Sequence, residues 1–383
     1  MTLPPLPAAP VQPAKIEAFV FRAPIASPVK TSFGVMHDRP AVFVRVEDRD
    51  GAFGWGEVWC NFPSCGAEHR ARLVETVVTP LLLGRDWSSP AQAFAHLHAR
   101  TAVLAIQSGE PGPMAQAIAG VDLALWDLCA RRAGVSLRRF LGGTRDRVQV
   151  YASGINPDRP EETVARSRAA GYRAFKLKIG FDAAQDIANL EALRALLGDE
   201  TPLMADANQG WSLQDALAIV PRLQAFGLGW LEEPLRADRP WADWKMLASA
   251  TSIPLAAGEN LLGTDAFDDA VAHSPLSVLQ PDLAKWGGIS GCWPVIAAAQ
   301  RRGLRYCPHF LGGGIGLMHS AHVLAAAGGD GMLEIDANPN PLRTLLSPEL
   351  GVVHEGWCTL GELPGIGVDF DSRALAAQLP ALA

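Results

Sequence analysis

From Val148 onward, short apolar runs alternate with helix-length amphipathic stretches. The runs are VQVYASG, AFKLKIG, PLMADAN, LGWLEEP, PLAAGEN, LSVLQPDLAK, RYCPHF and MLEIDA. Each reads as a strand bounded by turn residues. The stretches between them carry helix signals: Pro160 followed by Glu161 and Glu162, Ser212 ahead of an apolar-periodic run, and Gly227 as a stop. Alternating βα units imply a parallel sheet, and eight of them imply a closed (β/α)7-8 barrel of the TIM type. A doubly wound open sheet is the competitor. It is disfavoured because no G-x-G-x-x-G follows the first strand.

Upstream the pattern is α+β. Residues 15–24 alternate as a strand, and residues 40–58 read as a hairpin turning at Asp50-Gly51. Amphipathic helices are predicted over 68–83, 90–103 and 114–133. The last carries the stripe Ile118, Val121, Leu125 and Leu128, with Gly134 as its stop. The expected organisation is a loose Pro- and Ala-rich arm over 1–14, an α+β capping domain over 15–145 that the tail 352–383 rejoins, and the barrel over 146–351.

The bulk numbers narrow the function classes. A chain of 383 residues, 49% hydrophobic and 19% charged, suits one large and one smaller packed domain. The net charge is -7 with scattered Lys and Arg, which argues against nucleic acid as a partner. Six cysteines form no C-x-x-C pair and suit buried thiols in a reducing compartment. The first fourteen residues lack the features of a signal peptide, and no stretch reaches the ~18 apolar residues a membrane span needs. A cytoplasmic protein without a membrane partner is expected.

The chemistry lies in a repeat. Lys178, Asp206, Glu232, Glu259, Asp282, His309 and Glu334 fall at successive strand ends, at intervals of 28, 26, 27, 23, 27 and 25 residues. A βα unit has about that length, so each should occupy an equivalent place around the C-terminal mouth, where such barrels carry their active sites. One such charge would read as a solvated loop residue. Seven at one offset do not. Asp206, Glu232 and Glu259 come from neighbouring units, and converging carboxylates call for a hard cation with oxygen ligands, Mg²⁺ above all. In Glu232-Glu233 strand alternation lets one side chain face the axis; Glu232 continues the offset and Glu233 is a supporting residue. Lys176 and Lys178 lie two apart, so both point inward, where buried lysines serve anions or act as a base. Asp282 and His309 form a carboxylate–imidazole pair on adjacent units. Asn208 shares the face of Asp206 and is a candidate substrate contact or a turn residue. The run Gly312-Gly313-Gly314 could hold phosphate or let backbone approach closely; the second reading is favoured because no basic residue lies in the run.

These residues carry a resemblance. The chain resembles the enolase superfamily in its mandelate racemase branch, through Lys176-Leu-Lys178, Asp206-Ala-Asn208, Glu232-Glu233-Pro234, Gly258-Glu259-Asn260, Gln280-Pro281-Asp282 with Gly287-Gly288, Pro308-His309 and Glu334. The capping region matches through Gly54-Trp55-Gly56-Glu57, residues 120–127 and Leu141-Gly142-Gly143. The resemblance covers nearly all of the chain after the arm. It implies Mg²⁺ on Asp206, Glu232 and Glu259, Lys178 as one general base, and Asp282–His309 as the acid/base on the opposite face. Lys176 would neutralise the substrate carboxylate, and Glu334 would donate to it as a protonated acid. The implied reaction removes the proton alpha to a carboxylate of a hydroxy acid or sugar acid. Dehydration or cycloisomerisation is expected ahead of racemisation. The pair Asp282–His309 departs from muconate-lactonizing enzymes, which place a lysine where Asp282 stands, and Leu311 departs from the His-x-Asn of glucarate dehydratases. A homo-oligomer, dimer or octamer, is also implied. The loops 27–34 and 59–66 would cover the mouth, with Lys30, His37, Arg39, Trp59 and Phe62 as candidate substrate contacts. A His-ligated barrel metallohydrolase is disfavoured because VQVYASG lacks histidine. A sugar-phosphate isomerase would use the glycine run. A non-catalytic binding protein would have no use for so many buried charges.

Overall fold

A computed structural model describes residues 10–31 and 34–379, the side chains of Ser27, Lys30 and Thr31 excepted. Three antiparallel strands open the chain: β1 (Pro13–Thr31), β2 (Gly34–Asp48) and β3 (Phe53–Val58), in that order across the sheet. Order therefore begins ahead of residue 15. Val11 is fully buried and its backbone exchanges two 2.8 Å hydrogen bonds with Trp87. Helices Gly66–Leu73 and Thr79–Leu82, joined by a π-helical turn Val74–Val78, run where one helix was predicted. Helix Pro90–Ser108 follows, capped by Ser89 and stopped by Gly109. Helix Pro111–Arg132 then lies against β3 with backbone almost touching backbone. A Cβ on Gly56 would come 2.0 Å from the Gly120 carbonyl oxygen, so only glycine fits there.

All eight predicted barrel strands form: β4 (Arg147–Ile155), β5 (Phe175–Lys178), β6 (Leu203–Asp206), β7 (Leu231–Glu232), β8 (Leu255–Ala257), β9 (Val278–Leu279), β10 (Arg305–Tyr306) and β11 (Met332–Asp336). Neighbours pair in parallel from β4 to β10, and β11 pairs β4. The ring is closed except for a strand ladder between β10 and β11, where the Met332 amide donates to Cys307 Sγ at 3.4 Å instead. Strand alternation divides the residues cleanly. Phe175, Leu177, Leu203, Leu231, Leu255, Leu279 and Leu333 join the large core shared with the helices. Tyr151, Met204, Trp230, Val278, Cys307 and Met332 point inward and fill the barrel floor. Two residues further along each strand, the same inward face turns polar.

Three buried acids fix the capping layer, two of them to the barrel and one to the returning tail. Glu57 accepts from the Gly313 and Gly316 amides at 2.5 and 2.7 Å. Asp122 accepts from Ile289 and Ser290 at the start of helix Gly288–Arg301. Asp127 accepts from the Trp55 and Ile366 amides. The tail first adds β12 (Trp357–Thr359) antiparallel to β4, then returns to the cap, where Phe370 stacks on Trp55 at 4.2 Å. All six cysteines are free. Among the described residues no helix is long and apolar enough to cross a membrane.

Candidate active site

Lys178, Asp206 and Glu232 end β5, β6 and β7 and are cross-strand neighbours in register. Glu259, Asp282 and His309 follow two or three residues past the ends of β8, β9 and β10, whereas Glu334 lies within β11. All seven are buried or nearly so, and so is Lys176, at 1% exposure. Inward-facing charges at this depth must find partners.

The partners fall into two linked groups. Lys176 Nζ lies 2.6 Å from Glu232 Oε1 and 2.7 Å from Glu334 Oε1. Burial opposes its charge, but Glu232 and Glu334 outweigh burial and hold its pKa well above the usual lysine value. Glu334 also accepts from Ser153 Oγ at 2.5 Å and from the Phe310 amide at 3.0 Å. Burial raises its pKa, yet Lys176 and His309 win and lower it. In this arrangement the Lys176 contact and the Phe310 amide favour the ionised form of Glu334 over the protonated donor that the resemblance implies. Glu232 accepts in addition from Trp230 Nε1 and Gln280 Nε2, at 3.1 and 2.6 Å.

In the second group His309 Nδ1 lies 2.7 Å from Asp282 Oδ2, and Nε2 lies 3.1 Å from Glu259 Oε2. Asp282 Oδ1 is fixed by the amides of Ala284 and Lys285. Burial pulls the imidazole pKa down; Glu259, Glu334 and Asp282 together push it up to about 9. Lys178 Nζ donates to Asn208 Oδ1 at 2.5 Å and lies 3.5 Å from Asp206. Asn208 and Gln209 take left-handed backbone at φ 43° and 63°, and the Asn208 amide and Nδ2 both donate to Asp206.

The carboxylates Asp206, Glu232, Glu233 and Glu259 are an all-oxygen set suited to a hard cation. Burial, with Asp206 and Glu334 adding repulsion, raises Glu232 to about 7 against the pull of Lys176. Burial and then Glu259 raise Glu233 well above the carboxylate range. That strain is what a bound cation would relieve. As placed, Glu232 leans on Lys176, and Glu259 on His309 and Lys285. Among the described residues no three His, Cys, Asp or Glu side chains converge as a metal site. The donors fit Mg²⁺ by type, and ligation requires Glu232 and Glu259 to turn from those cations. Glu233, at φ 39°, is gripped by Asn260 Nδ2 at 2.8 and 2.9 Å, which suits its supporting role.

Lys178 and His309 line one cavity with Asn208, Glu259, Trp59 and Arg39. Strands β5 and β10 stand across the ring, with four strands between them one way and two the other. Trp59 roofs the cavity and its ring sits 4.8 Å from Lys285 Nζ. Lys30 belongs to β1, but its side chain lies outside the described residues. His37 is exposed and does not line the cavity. In the glycine run the Gly313 amide is already taken by the Glu57 carboxylate, which disfavours phosphate there.

Sequence reasoning missed Lys285, which donates to Glu259 at 3.0 Å and Asn260 at 2.7 Å. It also missed Ser153 and Asp336, and named Gln280 only within a motif. These three share the inward parity of Glu334 and Asp282, so strand alternation could have found them.

Comparison with known proteins agrees with this geometry. The mandelate racemase / muconate lactonizing enzyme N-terminal domain model matches residues 15–142, and the enolase C-terminal domain-like model matches residues 160–374. A D-galactarolactone cycloisomerase from Agrobacterium fabrum is 31% identical over 90% of this chain and 93% of its own. A crystal structure titled mandelate racemase/muconate lactonizing enzyme, from Bordetella bronchiseptica RB50, is 62% identical, with a TM-score of 0.92 over 96% of this chain and 99% of that one. An L-talarate/galactarate dehydratase mutant, liganded with Mg and L-glucarate, is 27% identical, with a TM-score of 0.82 over 96% of this chain and 92% of that one. The chain belongs to the mandelate racemase and muconate lactonizing enzyme family of the enolase superfamily, and it is an enzyme of that superfamily.

Proposed function

We propose that this enzyme removes the proton alpha to the carboxylate of a hydroxy acid or sugar acid and carries the resulting enediolate on to dehydration or cycloisomerisation. The observation that carries the reading is the placement of Lys178 and His309, the latter paired with Asp282, in one cavity, across the ring from each other. Asp206, Glu232 and Glu259 would hold Mg²⁺, which supplies positive charge to the substrate carboxylate as it becomes dianionic.

Lys178 Nζ takes the α-proton, with Asn208 orienting the amine. Lys176, kept cationic by its carboxylate neighbours, offsets the charge that develops on the carboxylate. Glu334 holds Lys176 from one oxygen and the Phe310 amide, next to His309, from the other. His309, with Asp282 fixing Nδ1, presents Nε2 as the acid. When the β-carbon–oxygen bond breaks, its electrons leave on oxygen and His309 supplies the proton. The oxygen departs as water in a dehydration; in a lactone it stays tethered as the newly freed carboxylate, which leaves without needing that proton. Trp59, Phe62 and Leu311 close the cavity and limit water. The relatives above, a cycloisomerase and a dehydratase of sugar acids, support that order of preference. If His309 instead returns the proton to the α-carbon, the same groups give epimerisation. The two-base arrangement keeps that as the second reading.

The test is NMR of sugar acids and small hydroxy acids in D₂O with Mg²⁺. Exchange of the α-proton together with loss of the β-oxygen signal is expected. Lys178→Ala and His309→Asn should each abolish turnover. Full turnover in chelated, metal-free protein would overturn the mechanism.

A further inference from the structure

The cavity that holds Lys178 and His309 has a second pole that the proposed chemistry leaves unused. At that pole Arg39, from β2 of the capping layer, meets Asp336, at the end of β11. Both are almost fully buried, at 3% and 5% exposure. Arg343 approaches the same oxygen, 4.0 Å from Asp336 Oδ2. The Arg343 guanidinium also donates to the Asp336 and Asn338 carbonyls at 2.6 and 3.2 Å. Asp336 Oδ1 is taken up by the Asn338 amide and Nδ2, at 2.9 and 2.8 Å.

The charges do not cancel. Two guanidinium groups share one carboxylate, which leaves one buried positive charge beside the cavity. An uncompensated buried charge is costly unless a ligand completes it. Among the described residues Asp336 is the one hydrogen-bond partner of the Arg39 side chain, which has five N–H donors. The cradle is built closely. A Cβ on Gly154 would come 2.7 Å from Asp336 Oδ1 and 2.9 Å from Asn338 Nδ2, and Gly154 has φ 66°, so this position excludes a side chain. Gly154, Arg39, Asp336 and Asn338 all line the cavity that reaches the two reacting groups.

We infer that Arg39 is a specificity-determining residue that binds a second carboxylate at the far end of the substrate, which makes the substrate a sugar diacid or its lactone. This rests on the reading of the site as one for sugar acids. Asp336 holds the guanidinium in the plane it needs, with Arg343 and Asn338 fixing Asp336 in turn. A neutral CH₂OH at the far carbon leaves the charge uncompensated and binds more weakly. Guanidinium–carboxylate pairs are the strong, bidentate class of hydrogen bond, so the discrimination should be large.

The experiment measures binding by titration calorimetry in Mg²⁺, using pairs that differ only at the far carbon: galactarate against galactonate, and glucarate against gluconate. Wild-type protein should favour the diacid of at least one pair by about tenfold or more. Arg39→Gln should lose that preference while its affinity for the aldonic acid stays within about twofold. Arg39→Lys, which keeps the charge but not the fork, should retain part of it. Equal affinities within both wild-type pairs, or a preference that survives Arg39→Gln, would overturn the inference. So would a loss of both acids together, which marks Arg39 as a latch between cap and barrel. The α-proton exchange is scored separately: its absence for every acid sinks the proposed reaction, whereas exchange without diacid preference sinks only the role of Arg39.

Discussion

His309 shows how much one residue owes to its surroundings. Its ring is held at Nδ1 by Asp282, and the amides of Ala284 and Lys285 hold Asp282 in turn. Asp282→Asn preserves the shape but swaps an acceptor for a group that can donate, which frees the wrong tautomer. By analogy with other carboxylate–imidazole pairs, turnover to the eliminated product should fall by roughly 10²- to 10⁴-fold, while α-proton exchange by Lys178 persists. Circular dichroism should show the fold retained. A variant with unchanged turnover would remove Asp282 from the mechanism. Lys285 makes the complementary case. It is buried beside Glu259 and Asn260 and beneath Trp59, and burial's downward pull on its pKa is outweighed by Glu259, then Asp282. Nothing in its neighbourhood of sequence marked it, because it lies three residues beyond Asp282 in a turn, outside the strand period.

At the level of elements, helix Gly314–Ala327 joins chemistry to architecture. Its N-terminus receives the Glu57 carboxylate, and further along it His319 Nε2 lies 2.9 Å from the Trp55 carbonyl oxygen while His322 Nδ1 accepts from the Arg138 amide at 3.2 Å. Glu57→Gln should cost about 2 kcal/mol in denaturant unfolding, since the amide offers one acceptor oxygen where the carboxyl group holds two backbone amides. His322 adds a pH dependence. Burial, and after it the charges of His319 and Arg138, lower its pKa to about 3. The unfolded chain takes up that proton near 6.5, so between those values the unfolded state holds one more proton. Stability therefore falls as pH drops through 6.5, at up to about 1.4 kcal/mol per pH unit for this group. Urea denaturation of His322→Gln between pH 7 and 5 should show a shallower slope than wild type. An unchanged slope would mean that His322 is protonated within the fold.

For the whole molecule, what could be read from sequence follows from which interactions are periodic. Barrel strands repeat every βα unit and alternate every second residue, so the strand-end places of Lys178, Asp206 and Glu232 were legible together. The buried acids that join cap to barrel were not, because Glu57 and Asp122 act across 167 to 259 residues of chain, nor was Asp127, which ties the cap to its returning tail across 239. Arg39 was flagged only as a loop contact for the same reason: its partner Asp336 lies 297 residues away. The proposed metal ligands were legible as a donor set and not as a geometry, since Glu232 settles on Lys176, and Glu259 on His309 and Lys285. That competition gives a test on the intact protein. Mg²⁺ must displace Lys176 from Glu232, and His309 and Lys285 from Glu259, so binding is linked to stability through those contacts. At 100-fold excess over its dissociation constant it should add about 2.7 kcal/mol, a rise of a few degrees in Tm for chelated wild-type protein. Glu259→Gln should start from a lower Tm, because Lys285 and His309 lose a partner, and should need far more Mg²⁺ for any rise. If both proteins shifted equally at the same Mg²⁺ concentration, Glu259 would not be a ligand and the cation would sit elsewhere.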